Sequence, residues 1–256
     1  ADSPIAPGAT DLAQLVLETP IAAAAGDRFI VRDTSARRTI GGGAFLDLRA
    51  PERRRRTPER RAELGLLAEP DARACLTALL GGPKGWVDIA AFARDRALAA
   101  SAASELARSL GLVVLSMAGM QPVVLPETWT RMLAAIGAAV DRHHATNPEL
   151  LGLAIETLRR QIEPRLPPPV FTAVLQRLIG DGALALDRGA VRRPSHGIEL
   201  SPQDAASWLR IRPLLGGVER FRPPRVRDMV ASVGRDEATI RRLLQLSARR
   251  GETEQI

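Results

Sequence analysis

The stretch GDRFIVRD at residues 26–33 is followed, after a short polar loop, by RTIGGG at residues 38–43. Residues 29–31 within the first string are a short β-prone run, and residues 45–48 are a second such run. Two runs joined by a polar loop predict the strands of a β-hairpin.

Three consecutive glycines, Gly41, Gly42 and Gly43, stand before the second predicted strand. Because glycine has no Cβ atom, we expect a bulge here in which these residues adopt positive φ. Such a bulge bares backbone N–H groups that a phosphate can approach closely, and Arg37 and Arg38 lie beside it. The same residues also fit a turn without any ligand. The sequence contains no GxxxxGK[ST], which excludes a P-loop.

The two strings resemble the third domain of elongation factor Tu, where RF-x-x-R-[ED] precedes a short loop and RT-[VI]-G-x-G. The residues that match are Arg28, Phe29, Arg32, Asp33, Arg38, Thr39, Ile40, Gly41 and Gly43. The resemblance implies a β-barrel whose hairpin lies against the T-arm of a bound tRNA. It also implies tRNA contacts for Arg38, Thr39 and the three glycines.

The middle glycine, Gly42, narrows the resemblance to the bacterial selenocysteine-specific elongation factors, the SelB family. Further strings support it: HHATNPELLG at 143–152, LPPPVF at 166–171 and RPSHGIELSPQD at 193–204. The resemblance covers essentially the whole chain. It implies delivery of selenocysteyl-tRNA to in-frame UGA codons by a factor that bridges the tRNA and an mRNA hairpin.

The chain has 256 residues, of which 45% are hydrophobic, and a formal net charge of +7. This length predicts two to four compact units, and the positive charge favours a polyanionic partner. Basic residues outnumber acidic ones by 9 to 7 in residues 1–57 and by 11 to 7 in residues 201–256. Between these segments the charges nearly balance, so the excess lies at the two ends.

The number of cysteines and the hydropathy pattern indicate the cellular compartment in which we expect the protein. Cys75 is the only cysteine, so no intrachain disulfide can form, which fits a reducing cytoplasm. The longest apolar-rich stretch, at about 110–125, contains two glycines and a proline and is shorter than the roughly 20 residues that cross a bilayer. The opening residues lack the basic segment of a signal peptide. We expect a cytoplasmic protein with no membrane partner.

The predicted fold class is mixed: part of a β-barrel like domain III of elongation factor Tu, followed by mainly α tandem winged-helix domains. Residues 1–50 would be the end of the barrel, with strands at 15–17, 29–31 and 45–48, and we expect its other half upstream. Residues 51–125 would be an Arg-rich connector and a first winged helix. Residues 126–198 would be a second winged helix, and 199–256 a third that stops before its wing.

The winged-helix prediction rests on a repeated order of three helices and a β-hairpin. In the first unit we predict helices at 71–80, 88–94 and 101–110 and wing strands at 113–115 and 123–125. In the second we predict a long helix from about 127, helices at 150–161 and 170–179, with a break at the three prolines 167–169, and strands at 184–186 and 191–193. In the third, Ser201 and Pro202 predict a helix start, with helices to about 215 and at 225–233 and 236–250.

The sequence contains no HExxH, GxSxG or paired-cysteine motif, and it lacks the P-loop, DxxG and NKxD set of a GTPase. We therefore expect no catalysis, metal or cofactor in this segment. By resemblance, GTP would bind the full-length factor through a domain upstream. The adjacent His143 and His144 point about 100° apart on a helix, so we expect one packed and one solvated ring and no metal site.

The last predicted helix carries Arg241 and Arg242, and the final helix of a winged-helix domain often meets nucleic acid. We interpret both as candidate RNA-binding residues, and the alternative is a solvated helix face with favourable charge near a helix C-terminus. The connector arginines at 53–56 fit either a solvated linker or an RNA phosphate contact.

The partners implied by the resemblance are selenocysteyl-tRNA, the ribosome and the mRNA selenocysteine-insertion hairpin, the last mainly through a fourth winged helix. We expect a monomer. The alternative function is a DNA-binding transcriptional regulator built of tandem winged helices, which usually acts as a dimer. A third possibility, neutral spacers that touch no nucleic acid, fits the balanced charge of residues 58–200.

Overall fold

The computed structural model describes residues 4–51, 53, 55–216 and 223–253. The chain divides into two compact units, Ala1–Arg131 and Met132–Ile256. Among the helices in the described ranges, none combines the length and the apolar character that a membrane span requires.

The first unit opens with a two-stranded antiparallel sheet made of β1 (Arg28–Arg32) and β2 (Thr39–Ala44). The predicted hairpin is confirmed, but its second strand is at the glycines and not at residues 45–48, which are half-buried and outside the strand. The strand predicted at 15–17 is wrong as well, since residues 15–17 are exposed and pair with no strand in the described part of the chain.

The glycines of β2 are extended, and none of the three has a positive φ. The predicted glycine bulge is therefore wrong. The register runs from Phe29 opposite Gly43 to Val31 opposite Gly41, and the irregularity falls between Val31 and Arg32, where Ile40 is the extra residue on β2. Glycine is needed for close approach, because a Cβ on Gly42 would lie 2.7 Å from the Phe29 carbonyl oxygen and one on Gly43 would lie 2.9 Å from the Phe29 ring.

The rest of the first unit is mainly helical, with a small antiparallel sheet in the order β3 (Val87–Asp88), β5 (Pro122–Val124) and β4 (Val113–Val114). Leu76, Phe92 and Val123 lie in its apolar core. Asp71, the first residue of the helix predicted at 71–80, instead precedes the second helix and caps it by accepting the N–H of Ala74. The elements are α1 (Pro58–Leu67), α2 (Ala72–Gly81), β3 (Val87–Asp88), α3 (Ile89–Asp95), α4 (Ala100–Ser109), β4 (Val113–Val114) and β5 (Pro122–Val124).

A long helix, α5 (Pro126–Thr146), leads into the second unit, where the predicted helix–hairpin order returns. The helix predicted from residue 150 begins only at Ile155, after a short strand. The prolines at 167–169 do not break the chain before a helix; they begin it, because a first helical turn needs no N–H from proline. The elements are β6 (Leu153–Ala154), α6 (Ile155–Ile162), α7 (Pro168–Gly180), β7 (Ala185–Asp187) and β8 (Ala190–Arg192), with sheet order β6-β8-β7.

The end of the described chain is a three-helix cluster of α8 (Pro202–Ile211), α9 (Val226–Val233) and α10 (Glu237–Arg249), with a 3₁₀ turn at Arg212–Leu215. The predicted start at Ser201 is confirmed, since its hydroxyl accepts the N–H of Asp204 and Pro202 occupies the first helical position. Trp208, Ile211 and Leu243 lie in the core that joins these helices.

Candidate nucleic-acid interface

The β1–β2 hairpin presents a face on which apolar bulk, positive charge and bare backbone lie together. Along β1 the exposure alternates, with Arg28, Ile30 and Arg32 exposed and the two residues between them half-buried. Ile30 is 70% exposed. The term hairpin surface denotes the exposed residues Arg28, Ile30, Arg32, Arg37, Arg38, Thr39, Ile40, Gly41, Gly42 and Gly43.

The loop of the hairpin is organised by Asp33. Its carboxylate accepts the Ser35 hydroxyl at 2.9 Å and the backbone N–H groups of Arg37 at 3.0 Å and Arg38 at 3.3 Å. The hydrogen bond from the Arg38 backbone, followed by that from Ser35, lowers the pKa of Asp33 below its ordinary value. Asp33 also donates its own N–H to the Arg38 carbonyl at 2.9 Å. The carboxylate thus fixes the loop backbone that carries Arg37 and Arg38.

The four guanidinium groups of the hairpin surface take no part in the ion pairs that the described residues form. Within the described ranges, no carboxylate lies at ion-pair distance from Arg28, Arg32, Arg37 or Arg38. Arg32 makes a long bond of 3.4 Å to the Ala36 carbonyl. Exposed cations without internal partners are available to an external anion, and arginine can donate two parallel hydrogen bonds to a phosphate.

The outer edge of β2 offers backbone groups as well. Phe45 donates its N–H to the Asp27 carbonyl and accepts the N–H of Gly26, so the backbone of Phe45 faces the first strand. Because successive strand residues direct their amides to opposite edges, Gly43 and Gly41 also face β1. Gly42 therefore directs its N–H and C=O to the outer edge, where no side chain of its own covers them.

The second predicted pair, Arg241 and Arg242, lies on α10 in the other unit. Arg241 is exposed and pairs with Glu237 one turn earlier, with Nε at 2.9 Å from the carboxylate. Arg242 donates two bonds of 2.8 Å to Asp204 and a further bond to Glu149. Asp204 is only 6% exposed. Burial raises its pKa, but hydrogen bonds from Arg242 and Ser201 outweigh burial and hold the pKa below its ordinary value.

The three histidines of the chain meet in the second unit. The rings of His144 and His196 stack with centroids 3.5 Å apart, and His144 Nε2 accepts the backbone N–H of Arg193 at 3.1 Å. His143 Nε2 donates to the Gly152 carbonyl at 3.1 Å. His143 and His144 are both half-buried, so the expectation of one solvated ring is wrong, because each ring serves a backbone group of a different segment.

The environment of His144 disfavours its charged form. Burial, together with the nearby His196 and His143, lowers the pKa of His144 from 6.5 to about 4. Its Nδ1 is buried and has no hydrogen-bond partner in the described residues. The same part of the chain contains no group of three potential metal ligands. The His144 ring is therefore neutral at pH 7, and it packs against His196 beside the end of β8.

Two features of the interface escaped the sequence analysis. The loop role of Asp33 could have been read from its spacing to Ser35 and Arg37, since an aspartate that opens a turn often accepts the N–H groups that follow it. The exposure of Ile30 and Ile40 had no such signal, because β-propensity does not tell which face of an isolated hairpin is covered.

Comparison with known proteins bears on both units. Residues 3–52 match the family model described as "Selenocysteine-specific elongation factor, beta-barrel domain", and residues 138–192 match "Elongation factor SelB, winged helix". The predicted mixed fold class is confirmed by these matches and by the order of the elements.

Two relatives are similar along nearly all of the chain. The selenocysteine-specific elongation factor of Escherichia coli (strain K12) is 30% identical over 243 residues, which are 94% of this chain and 38% of the relative. That of Haemophilus influenzae is 24% identical over 250 residues, again 94% of this chain and 38% of the relative. The chain thus spans 38% of the length of each of these curated relatives.

Proposed function

Since this chain belongs to the family of selenocysteine-specific elongation factors, we propose that it is the part of such a factor that holds selenocysteyl-tRNA and reaches toward an mRNA hairpin. The hairpin surface binds the tRNA backbone. The winged helices connect it to the end of the factor that binds the mRNA hairpin. The intact factor thereby delivers selenocysteyl-tRNA to an in-frame UGA codon on the ribosome.

The observation that carries this proposal is the set of guanidinium groups on the hairpin surface that find no ion-pair partner among the described residues. Arg37 and Arg38 are held by Asp33 through their backbone, so the loop is ordered while both side chains remain available. Neutralising RNA phosphates with such groups releases counterions and gives binding that weakens with salt. The bare edge at Gly42 lets the RNA backbone approach the protein main chain, which any larger residue would hinder.

On α10, we propose that Arg241 also contacts RNA. Its Glu237 partner is half exposed, so exchanging that ion pair for an RNA phosphate costs little. The same exchange at Arg242 would leave the buried Asp204 without its partner. We therefore propose that Arg241 contacts RNA. The main role of Arg242 is to stabilise the fold through its guanidinium, and RNA contact is secondary to that role.

The remaining parts of the proposal concern the whole factor. GTP binding and hydrolysis belong to it, and we assign neither to these residues, because the chain lacks the P-loop, DxxG and NKxD set. The mRNA hairpin is bound mainly by a further winged helix. The factor works as a cytoplasmic monomer without a membrane partner.

The test is a gel-shift titration of the chain with selenocysteine tRNA, its mRNA hairpin and random duplex DNA, each at two salt concentrations. We expect tRNA to bind, with an affinity that falls as salt rises. The double variant Arg37→Ala, Arg38→Ala should bind tRNA about tenfold more weakly, the equivalent of about 1.4 kcal/mol, and with a smaller salt dependence.

Arg108→Ala is the matched control, because Arg108 is exposed and already paired with Glu105. It should bind tRNA like the unaltered chain. Equal affinity for tRNA in the double variant would contradict the role of the hairpin surface. A tighter complex with duplex DNA would favour a tandem winged-helix DNA-binding regulator instead.

A further inference from the structure

We propose that Asp95 and Asp47 are positioning residues that fix the hairpin at a set angle to the first winged-helix domain. Asp95 is the last residue of α3, and it bonds to the chain both before β1 and after β2. Its carbonyl accepts the N–H of Ala25, just before β1, at 2.6 Å. Its carboxylate accepts Arg49, just after β2, through Nε at 2.9 and 3.0 Å and Nη2 at 2.8 Å.

Asp47 makes the second attachment, in the segment that leaves the hairpin. Its carboxylate accepts the backbone N–H of Arg49 at 2.8 Å and pairs with the guanidinium of Arg60 on α1. Arg60 also pairs with Glu63 at 2.6 Å. The side chains of Arg60 and Asp47 are only 10% and 15% exposed, so this ion pair is shielded from solvent and from salt.

These contacts attach the hairpin to the helices of the first unit on both sides of the hairpin, and the term joint denotes this pair of attachments. A single tether would let the hairpin swing about it, whereas bonds before β1 and after β2 to the same helix end oppose rotation. The Arg49–Asp95 contact is bidentate, which adds a directional constraint that a single point charge lacks. None of the five joint residues, Ala25, Asp47, Arg49, Arg60 and Asp95, belongs to the hairpin surface.

The purpose of the joint rests on the proposed function. A factor that connects two RNA ends gains effective concentration only when its geometry spans both sites, so a fixed hairpin angle preserves that gain. The existence of the joint does not depend on RNA, and it can be measured without any.

The experiment measures a distance across the joint by double electron–electron resonance between nitroxide labels at Thr34→Cys and Ala102→Cys. Both positions are exposed, one in the hairpin loop and one on α4, and the native Cys75 is fully buried. We expect a single narrow distance peak. Asp95→Asn keeps the backbone bond from Ala25 and the Asp47–Arg60 pair, so it should broaden that peak, and the double variant Asp47→Asn, Asp95→Asn should broaden it further, because an amide cannot hold a guanidinium as a carboxylate does.

Asp181→Asn is the matched control, since Asp181 pairs with Arg177, whose side chain is 54% exposed, as is that of Arg49. It should leave the narrow peak unchanged. The exchanged pair Arg49→Asp, Asp95→Arg should restore a narrow peak, which a general loss of stability would not do. An unchanged peak width in both Asp95→Asn and the double variant Asp47→Asn, Asp95→Asn, with or without a lower melting temperature, would overturn the proposal.

A tRNA titration of the unlabelled Asp95→Asn chain separates the joint from the proposed function. The hairpin surface is intact in this variant, so its affinity for free tRNA should match that of the unaltered chain. If neither chain binds tRNA, the proposed function fails while the distance result still decides the joint. A loss of tRNA affinity in Asp95→Asn alone would contradict a purely positioning role.

Discussion

The hairpin surface and helix α10 are both rich in arginine, yet their guanidinium groups serve different ends. On the hairpin, the nearby carboxylate of Asp33 is occupied by backbone N–H groups, and the side chains of Arg37 and Arg38 have no ion-pair partner in the described chain. On α10, Arg241 and Arg242 each face a carboxylate of their own fold. The placement of carboxylates, more than the number of arginines, separates the surface that we propose to bind RNA from the structural guanidinium of Arg242.

This difference was invisible to charge counting. The two ends of the chain have similar excesses of basic residues, 9 against 7 and 11 against 7. A net count treats a guanidinium paired with the buried Asp204 and one exposed on a loop as equal. Only the second can exchange its solvent shell for a phosphate without leaving an unpaired charge inside the protein.

The largest effect on stability should come from Arg242→Ala, which tests whether the guanidinium of Arg242 on α10 stabilises the fold. It leaves the buried Asp204 without its bidentate partner and removes the bond to Glu149. We expect a loss of about 2–3 kcal/mol in the free energy of unfolding of the second unit, less than a fully buried pair because Arg242 is 39% exposed. Urea unfolding followed by circular dichroism measures it.

Arg241→Ala is the neighbouring control. Its ion pair with Glu237 is exposed on both sides, so the loss should stay below about 1 kcal/mol. Equal losses in the two variants would show that Arg242 is no more structural than its neighbour, and the contrast with the hairpin would then fail.

A smaller effect is expected on the hairpin side, from alanine at each glycine of β2. Gly42→Ala places a Cβ 2.7 Å from the backbone oxygen of Phe29, so a strand must shift, and we expect a loss of about 1–2 kcal/mol in local hairpin stability. Hydrogen exchange of the Phe45 amide, which bonds across the hairpin to Asp27, reports this loss.

Alanine at each of the other two glycines should destabilise the hairpin less than Gly42→Ala does. Gly43→Ala meets the Phe29 ring, a side chain that can move, and should cost less. Gly41→Ala meets nothing within 4 Å and has no positive φ, so exchange should be nearly unchanged. If Gly41→Ala were as damaging as Gly42→Ala, close approach would not explain the glycines.

The glycine series also shows what the sequence could and could not predict. Most helices and the hairpin followed from local signals such as the cap at Ser201 and the β-prone residues 29–31. The second strand was misplaced because glycine is depleted in strands, and its presence in β2 depends on Phe29 across the sheet.

Long-range partners explain what the sequence leaves open at Arg242. Arg242 was predicted to face solvent and RNA because the helix pattern around it fixes only which residues share a face. Its carboxylates lie 38 and 93 positions earlier in the chain, at Asp204 and Glu149. No spacing rule links residues that far apart, so the sequence alone does not show that Asp204 and Glu149 are the partners of Arg242.

The smallest effect is a pH dependence that belongs with the structural side of the comparison. Folding lowers the pKa of His144 from 6.5 to about 4, with burial as the main cause, so the unfolded chain takes up the proton first as the pH falls. The stability contributed by the neutral ring is thus fully present above pH 6.5 and is lost progressively toward pH 4. Urea unfolding of the second unit across this range should show the decline.

The groups around His144 oppose one another in this titration. His143, His196 and Arg193 disfavour its positive charge, while Asp141 favours it and binds Arg193 at 2.7 Å. Protonation also removes the acceptor for the Arg193 N–H, so the charged ring loses a bond as well as solvent. His144→Gln keeps an acceptor near the same place without a proton to gain, and its unfolding should lose most of the slope between pH 6.5 and 4. An unchanged slope would assign the pH dependence to other groups, and the histidine stack would then be neutral packing with no electrostatic cost.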